Sequence, residues 1–404
     1  MRSGLVLLAM LLVVPFATTA QALDISDDLT ITGYADLRAV APTGQESWLD
    51  GGLGKFRYGG GQNVGAEGVA QAELRLDDVL HAVTVLRAEP QTPGVVDALE
   101  TYLRYDDSDG GDLAWSVKGG AFFPTISLEN DDIGWTSPYT LTPSAINSWI
   151  GDELRTIGSE GTLRWKNELG TLSLIGALTC CNDEAGVLMA DRGWSMDDRP
   201  MGLFERVRLP AATLKIFHAP SYGRTGMFDE IDGQVGWYLG ATWQMPGIVK
   251  LSVTRYDNQG EPEAATARDN AWRTKFWSFG ARTQVGSLVL IAQHLTGYTE
   301  IEFSGIESAT KFQSGFLLGS YDIDDWRISL REDLFQTRRV GALNNIWSED
   351  GNATTGAISW SAYPWLRLTG EVIKMNSQRG EYVPAGLGLN RNDLQVQFDS
   401  RFFF

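Results

Sequence analysis

Charged side chains recur in this chain at spacings that give them a wet face of their own. Arg38 follows Leu37, Arg75 sits between Leu74 and Leu76, and Arg104 follows Leu103. Arg164 lies between Leu163 and Trp165, Arg327 between Trp326 and Ile328, Arg331 after Leu330, and Arg367 between Leu366 and Leu368. In a strand, successive side chains point to opposite faces. Each guanidinium therefore opposes its apolar neighbours, and it stays charged at any working pH. A second set, Glu129, Asp131, Asp132, Asp152 and Glu153, falls in one long stretch between two strand-like segments. Arginines on a wall and carboxylates on a loop can attract, repel or orient passing ions and polar molecules. They do not by themselves make or break bonds.

Bond-making chemistry finds little support. There is no G-x-S-x-G, H-E-x-x-H or Walker loop. The three histidines, His81, His218 and His294, read as wall or loop residues, although a Ser–His hydrolase built into a wall needs no contiguous motif. No enzyme and no cofactor is expected. Cys180 and Cys181 are adjacent. They cannot staple distant segments, a vicinal disulfide is open to them in an oxidising compartment, and no His lies nearby to suggest a metal. The stretch Asp106 to Asp112 is acidic, but it lacks the spacing and closing Glu of a calcium loop. It reads as an acidic turn.

The elements that must position these residues are strands. Period-two alternation bounded by turn residues places them near 29–39, 66–77, 79–88, 97–106, 112–122, 158–167, 170–179, 202–209, 211–219, 233–245, 247–256, 272–284, 286–297, 312–322, 325–336, 352–361, 364–375 and 392–404. That makes about eighteen antiparallel strands, with sixteen as the runner-up. Connections alternate between tight turns, such as Met245-Pro246-Gly247 and Leu209-Pro210-Ala211, and long loops. The longest, about 123–157, is the third long one, and it carries apolar Ile126, Leu128, Ile133, Trp135, Ile146, Trp149 and Ile150. Such a loop needs a surface to fold against.

Apolar Leu394, Val396, Phe398, Phe402 and Phe404 alternate with polar residues up to the last position. One face of such a strand belongs in lipid and the other in water. Hydrophobic residues make up 43%, with 14 Trp, 12 Tyr, 17 Phe and 45 Gly, and no run beyond the N-terminus is long enough for a membrane helix. The sequence therefore predicts an all-β transmembrane barrel with a hydrated lumen, because only a closed barrel otherwise satisfies every backbone group in lipid. Met1 to Ala22, with Arg2, an apolar Leu5–Phe16 stretch and Ala20-Gln21-Ala22, reads as a signal peptide; residues 23–404 form the barrel. The net charge of −18 excludes a nucleic-acid partner.

Together the leader, the sixteen to eighteen strands, the short turns, the overlong third loop and the terminal Phe resemble the Gram-negative outer-membrane porin superfamily. The resemblance implies passive diffusion of small hydrophilic solutes and ions. A channel specific for sugars, oligosaccharides or organic acids, a barrel-embedded enzyme, and a structural or adhesion barrel remain as alternatives. It also implies a third loop folded into the lumen. There Glu129, Asp131, Asp132, Asp152 and Glu153 would face wall bases drawn from Arg38, Arg75, Arg104, Arg164, Arg327, Arg331 and Arg367, with a weak preference for cations or neutral solutes. Trp135, Tyr139 and Trp149 could supply aromatic faces for sugars. The expected partners are outer-membrane lipids and lipopolysaccharide, the barrel-assembly machinery through Phe404, and two further copies in a homotrimer.

Overall fold

Alternation of apolar and polar side chains becomes, in the computed structural model, a closed antiparallel wall. Residues 22–59, 61, 64–90, 95–107, 111–210, 223–267, 269–303, 305–341, 348–383 and 385–404 are described. The proposed signal peptide, the 211–219 segment and His218 lie outside them, apart from Ala22. In chain order the elements are β1 (Leu23–Ser26), β2 (Leu29–Pro42), β3 (Val64–Arg75), β4 (Leu80–Ala88), β5 (Val96–Asp107), β6 (Leu113–Phe122), helix α1 (Ala145–Glu153), β7 (Thr156–Asn167), β8 (Gly170–Cys180), helix α2 (Val187–Asp191), β9 (Arg206–Arg208), β10 (Arg224–Gly226), β11 (Gly236–Met245), β12 (Val249–Asp257), β13 (Arg273–Val285), β14 (Leu288–Phe303), β15 (Ile306–Ile323), β16 (Trp326–Gly341), β17 (Glu349–Tyr363), β18 (Leu366–Arg379) and β19 (Asn390–Phe403).

The wall comprises β2–β8 and β11–β19, sixteen strands, with β1 folded back on β2 as an extra. β8 pairs with β11, and β19 closes the ring on β2 from Gln395↔Pro42 to Phe403↔Tyr34. The terminal residue completes the seam: Gly33 and Phe404 exchange backbone hydrogen bonds of 2.9 and 3.0 Å. A Cβ on Gly33 would lie 2.5 Å from the Phe404 ring, so only glycine fits beneath it.

The count is sixteen rather than eighteen because the 202–209 stretch is not wall. Leu203, Val207 and Leu209 are buried, while Phe204 is 85% exposed. Val207 and Leu209 pack onto a loop cluster of Trp48, Leu188, Met201 and Trp272, not onto lipid, and within the stretch only Arg206–Arg208 pairs, with Arg224–Gly226. The Leu209-Pro210 turn therefore belongs to a long connection, 181–235, which outruns the third. Leu99 has the same parity as outward Leu103 on β5, 50% exposed, yet it leaves that face. A bulge between Val85 and Leu86 makes Leu99 the extra residue on β5. It turns inward, 1% exposed, beside Val69 and Val85.

Outside, apolar side chains form the belt a barrel needs in lipid. Its lower edge, at the tight turns, carries stacked aromatics: Trp326 on Trp360 at 5.5 Å and Tyr363 on Trp365 at 5.1 Å. Inside, the expectation of a simply hydrated lumen fails. Phe276, Ile291, Leu295, Phe312, Phe316, Phe335, Ile373 and Met375 are buried in one cluster with loop residues Ile126, Leu128, Ile146, Trp149, Ile150, Trp194 and Met196. The hydrophobic core of this molecule lies inside its barrel.

Candidate functional site in the barrel lumen

The third connection, 123–155, lies within the wall. Ser144 caps α1, its hydroxyl accepting from Asn147 N. The helix start is further held by acids, since Ala145 N donates to Asp333 at 3.1 Å and Ser144 N to Glu129 at 2.9 Å. Negative charge at a helix N-terminus meets unpaired N–H groups and the positive end of the dipole. All nine α1 residues are buried. Trp149 projects from α1 into an aromatic nest, 5.5 Å from Phe276, 5.0 Å from Phe312 and 6.0 Å from Trp194. It is a packing anchor. Trp135 stacks on Phe123 at 4.2 Å.

Arg331 is the main clamp between wall and loop. It is fully buried, bonds Glu129 at 2.6 Å and Asp333 at 2.7 Å, and donates to the carbonyls of Thr142 and Pro143. Glu371 beside it accepts from Leu141 N at 2.6 Å. The same loop reaches the opposite wall, where Ile133 packs on the Tyr34, Val69, Val85 and Leu99 cluster.

A second layer comes from the 181–235 connection. Its 192–205 stretch runs as a strap from one wall to the other. Near β17, Trp194 N donates to Glu349 at 3.0 Å, and Glu349 also holds Lys55 at 2.6 Å. Midway, Arg192 bonds Asp152 at 2.7 Å and Met201 N donates to Gly151 O at 2.9 Å. At the far wall Asp198 meets Arg38 and Arg57, and Arg199 bonds Glu89 at 2.6 Å. Glu153 accepts from Leu188 N at 2.7 Å, tying α1 to α2, and burial pushes its carboxyl up to about 7. Burial beside Asp197 likewise raises Asp152. No sequence pattern pointed to this strap.

The five loop acids thus divide. Glu129, Asp152 and Glu153 are buried in packed contacts. Asp131 and Asp132 face the lower lumen, where Asp131 bonds Arg282 at 2.5 Å. The wall bases divide as well. Arg38 is buried between Asp36, Asp198 and Asp399, and Arg331 is enclosed. Arg104 meets Glu73 and Asp106, and Arg164 lies 3.6 Å from Asp106. Arg75 is exposed at the turn end against Asp28. Arg327 binds Asp322 at 2.7 Å and donates to Pro138 O at 2.8 Å, and Arg367 sits over the Phe403 ring. Arg282, which sequence reasoning missed, donates to Tyr139 OH at 2.7 Å. Its alternation with Ala281 and Thr283 is too weak to mark a face.

Cys180 and Cys181 are joined as a vicinal disulfide, and Cys181 N donates to Glu230 at 3.1 Å. His81 Nδ1 lies 3.1 Å from Glu73, and His294 faces outward from the wall. Neither has a hydrolase arrangement among the described residues. The Asp106–Asp112 turn lies partly outside them.

A closed barrel with an apolar outer belt, short turns at one end and a loop folded into its lumen has the fold of the outer-membrane porins. The sequence matches no family model and no curated protein. Among solved structures, the chain is similar to the outer-membrane channel DcaP of Acinetobacter baumannii, at 10% identity over 93% of this chain and 97% of that one, TM-score 0.56. It is also similar to an anion-selective porin from Comamonas acidovorans, at 12% identity over 93% and 99%, TM-score 0.54. OmpF of Salmonella typhi, in complex with daunomycin, aligns at 12% identity over 93% and 97%, TM-score 0.51. A barrel banded in this way has the outer surface of one that spans a lipid bilayer.

Proposed function

We propose that this protein is a channel for small hydrophilic solutes, closed in this state by its own loops. The observation that carries the reading is the third connection inside the lumen, with Asp131 and Asp132 set against Arg282, Arg327 and Arg367. Charged side chains arranged in this way bias which solutes enter. The packed interior favours a gated, substrate-specific channel over an open diffusion pore. With Glu129 and Asp152 bonded to arginines and Glu153 buried, the lower lumen is no longer acidic. Lys250 and Arg367 have no ion pair among the described residues. The lining suits organic anions or neutral polar solutes better than the cations that the acidic third loop and net charge favoured beside neutral solutes.

The long-loop end faces outside and the tight turns face the periplasm. Phe404 would hand the exported chain, freed of residues 1–22, to the barrel-assembly machinery. The outer face of β2 and β3 carries small residues, Ala35, Ala39, Ala66, Gly68, Ala70 and Ala72, which suits a homotrimer contact. Single-channel recording of the refolded chain across a salt gradient tests the function. Brief openings with anion preference, lost in Arg282→Gln/Arg367→Gln, are expected. Membranes that stay closed under every solute and voltage would move the reading to a structural barrel.

A further inference from the structure

Both parts of the filling spring from one place in the wall. The third connection ends where β7 begins, at Thr156, and the 181–235 connection starts where β8 ends, at Cys180. β7 and β8 are neighbours, and Ile157 pairs with Cys180 at the end of their ladder. The vicinal disulfide Cys180–Cys181 sits at that common root. Both cysteines are partly exposed, within reach of a small thiol in solvent.

The residues that follow the disulfide are the seat of α1. Asn182 Nδ2 donates to Glu153 O at 3.2 Å and to Met227 O at 2.9 Å, and Asn182 Oδ1 accepts from Tyr256 OH on β12 at 3.1 Å. Its carbonyl accepts from Asn258 Nδ2 at 3.1 Å, and Trp272 N donates to Asp183 O at 2.6 Å. Gly186 N and Leu188 N donate to the Glu153 carboxylate at 3.1 and 2.7 Å. In this short run the chain leaves the wall, satisfies a carbonyl at the C-terminal end of α1 and enters α2. Its direction is set by the backbone at Cys181.

That backbone is unusual. Cys181 has a φ of +69°, in the left-handed region, where a residue with a Cβ is crowded by its own carbonyl. Two things hold it there. The disulfide closes a small ring around the Cys180–Cys181 peptide, and Cys181 N donates to Glu230 at 3.1 Å. Glu230 is exposed, so its hydrogen bond competes with water and holds less firmly than the covalent ring. Once the ring is opened, residue 181 returns to an ordinary conformation. The chain beyond it then turns away from Glu153 and Tyr256.

We propose that Cys180–Cys181 is a redox latch on the filling. Oxidised, it keeps residues 182–188 on α1 and the lumen packed; reduced, it lets both connections leave the lumen together. The gating role rests on the reading of the protein as a gated channel. The reductant is a dithiol. Its thiolate attacks one sulfur of the pair to form a mixed disulfide, and its second thiol then displaces the protein sulfur. Two electrons and two protons pass to the protein, leaving Cys180 and Cys181 as thiols and the reductant as a disulfide.

The test treats the refolded full chain with dithiothreitol, with thiol titration to show that the bond is broken. Hydrogen exchange of the α1 and 182–188 amides reads the latch, and single-channel conductance reads the gate. Reduction is expected to speed α1 exchange ten-fold or more and to give open steps, both reversed on reoxidation with diamide. Two variants separate the cross-link from the backbone conformation. Cys180→Ser/Cys181→Ser should exchange like the reduced protein. Cys180→Ser/Cys181→Gly should exchange more slowly than that, because glycine takes a positive φ freely. Both should ignore dithiothreitol, with the barrel's heat-modifiable migration intact. Unchanged exchange in the reduced protein overturns the latch, and so does a serine variant that stays packed. A glycine variant that exchanges as fast as the serine one overturns the backbone mechanism. Faster exchange with membranes that stay closed would overturn the gating role and the channel reading, but not the latch itself.

Discussion

Arg331 sits where wall and loop charges meet, and its behaviour follows from desolvation. A buried guanidinium between Glu129 and Asp333 is stable only because both partners and two carbonyls are in place. Arg331→Met leaves two carboxylates buried without a counter-charge, at a cost of about 3–5 kcal/mol. The expected result is protease cutting within 123–155 and larger conductance, with the wall intact. An uncut loop would show that the clamp is redundant. Glu153 sets a pH dependence of the opposite origin. Burial raises its carboxyl from the ordinary value near 4.5 to about 7, so the packed loop binds the proton more tightly than the released loop. Its contribution to closure is complete below about 4.5 and is lost as pH rises through 7. Conductance should rise between pH 5 and 8, and Glu153→Gln should hold it low across that range. The sequence showed which face Arg331 occupies, because it continues the alternation of Arg327 and Ser329 with Trp326, Ile328 and Leu330. It could not show that Glu129, some two hundred residues away, would neutralise it.

Strand alternation was legible almost throughout, because a wall between lipid and water imposes period two on every strand. The 202–209 segment defeated it. An extended segment lying on a packed loop cluster buries every second side chain just as a wall strand does. Leu203, Val207 and Leu209 carry the same pattern for a different surface. The packed lumen left its own signal in pairs that alternation skips over: Leu290-Ile291, Phe316-Leu317-Leu318, Leu334-Phe335 and Val372-Ile373. Strands β14, β15, β16 and β18 are apolar on both faces along these stretches, as elements buried on both faces are. The loop packs tightly on the wall at Gly280, where an added Cβ would fall 2.5 Å from Leu128 Cδ1. Gly280→Val should push the third connection off β13 while leaving the β12–β13–β14 ladder paired. Hydrogen exchange of α1 amides would report the release, and unchanged protection would place the loop's hold elsewhere. Ser144→Ala removes the α1 cap and should cost about 1 kcal/mol by the same readout.

At the scale of the molecule, wall and filling are separable in principle. The wall closes on itself through β19 and β2, and its backbone hydrogen bonds run strand to strand. The filling contributes no strand to it. Its two parts nevertheless hold each other: the strap bonds α1 through Arg192 and Met201, and Glu153 on α1 bonds α2. Each part is also pinned to the wall, the third connection by Arg331 and the strap by Glu349 and Glu89. Interlocked packing of this kind has two discrete arrangements rather than a graded one, because a core repacks or opens but does not stretch. Replacing 186–203 with a short glycine–serine bridge should therefore give stable open steps, since α1 loses Arg192, Met201 and Trp194 together. Replacing only Arg192 with Met should give rare full-size openings rather than frequent small ones. Single-channel recording separates the outcomes. Intermediate conductance that scales with the number of contacts removed would mean that the loops yield independently, and that the lumen is a crowded pore rather than a gated one.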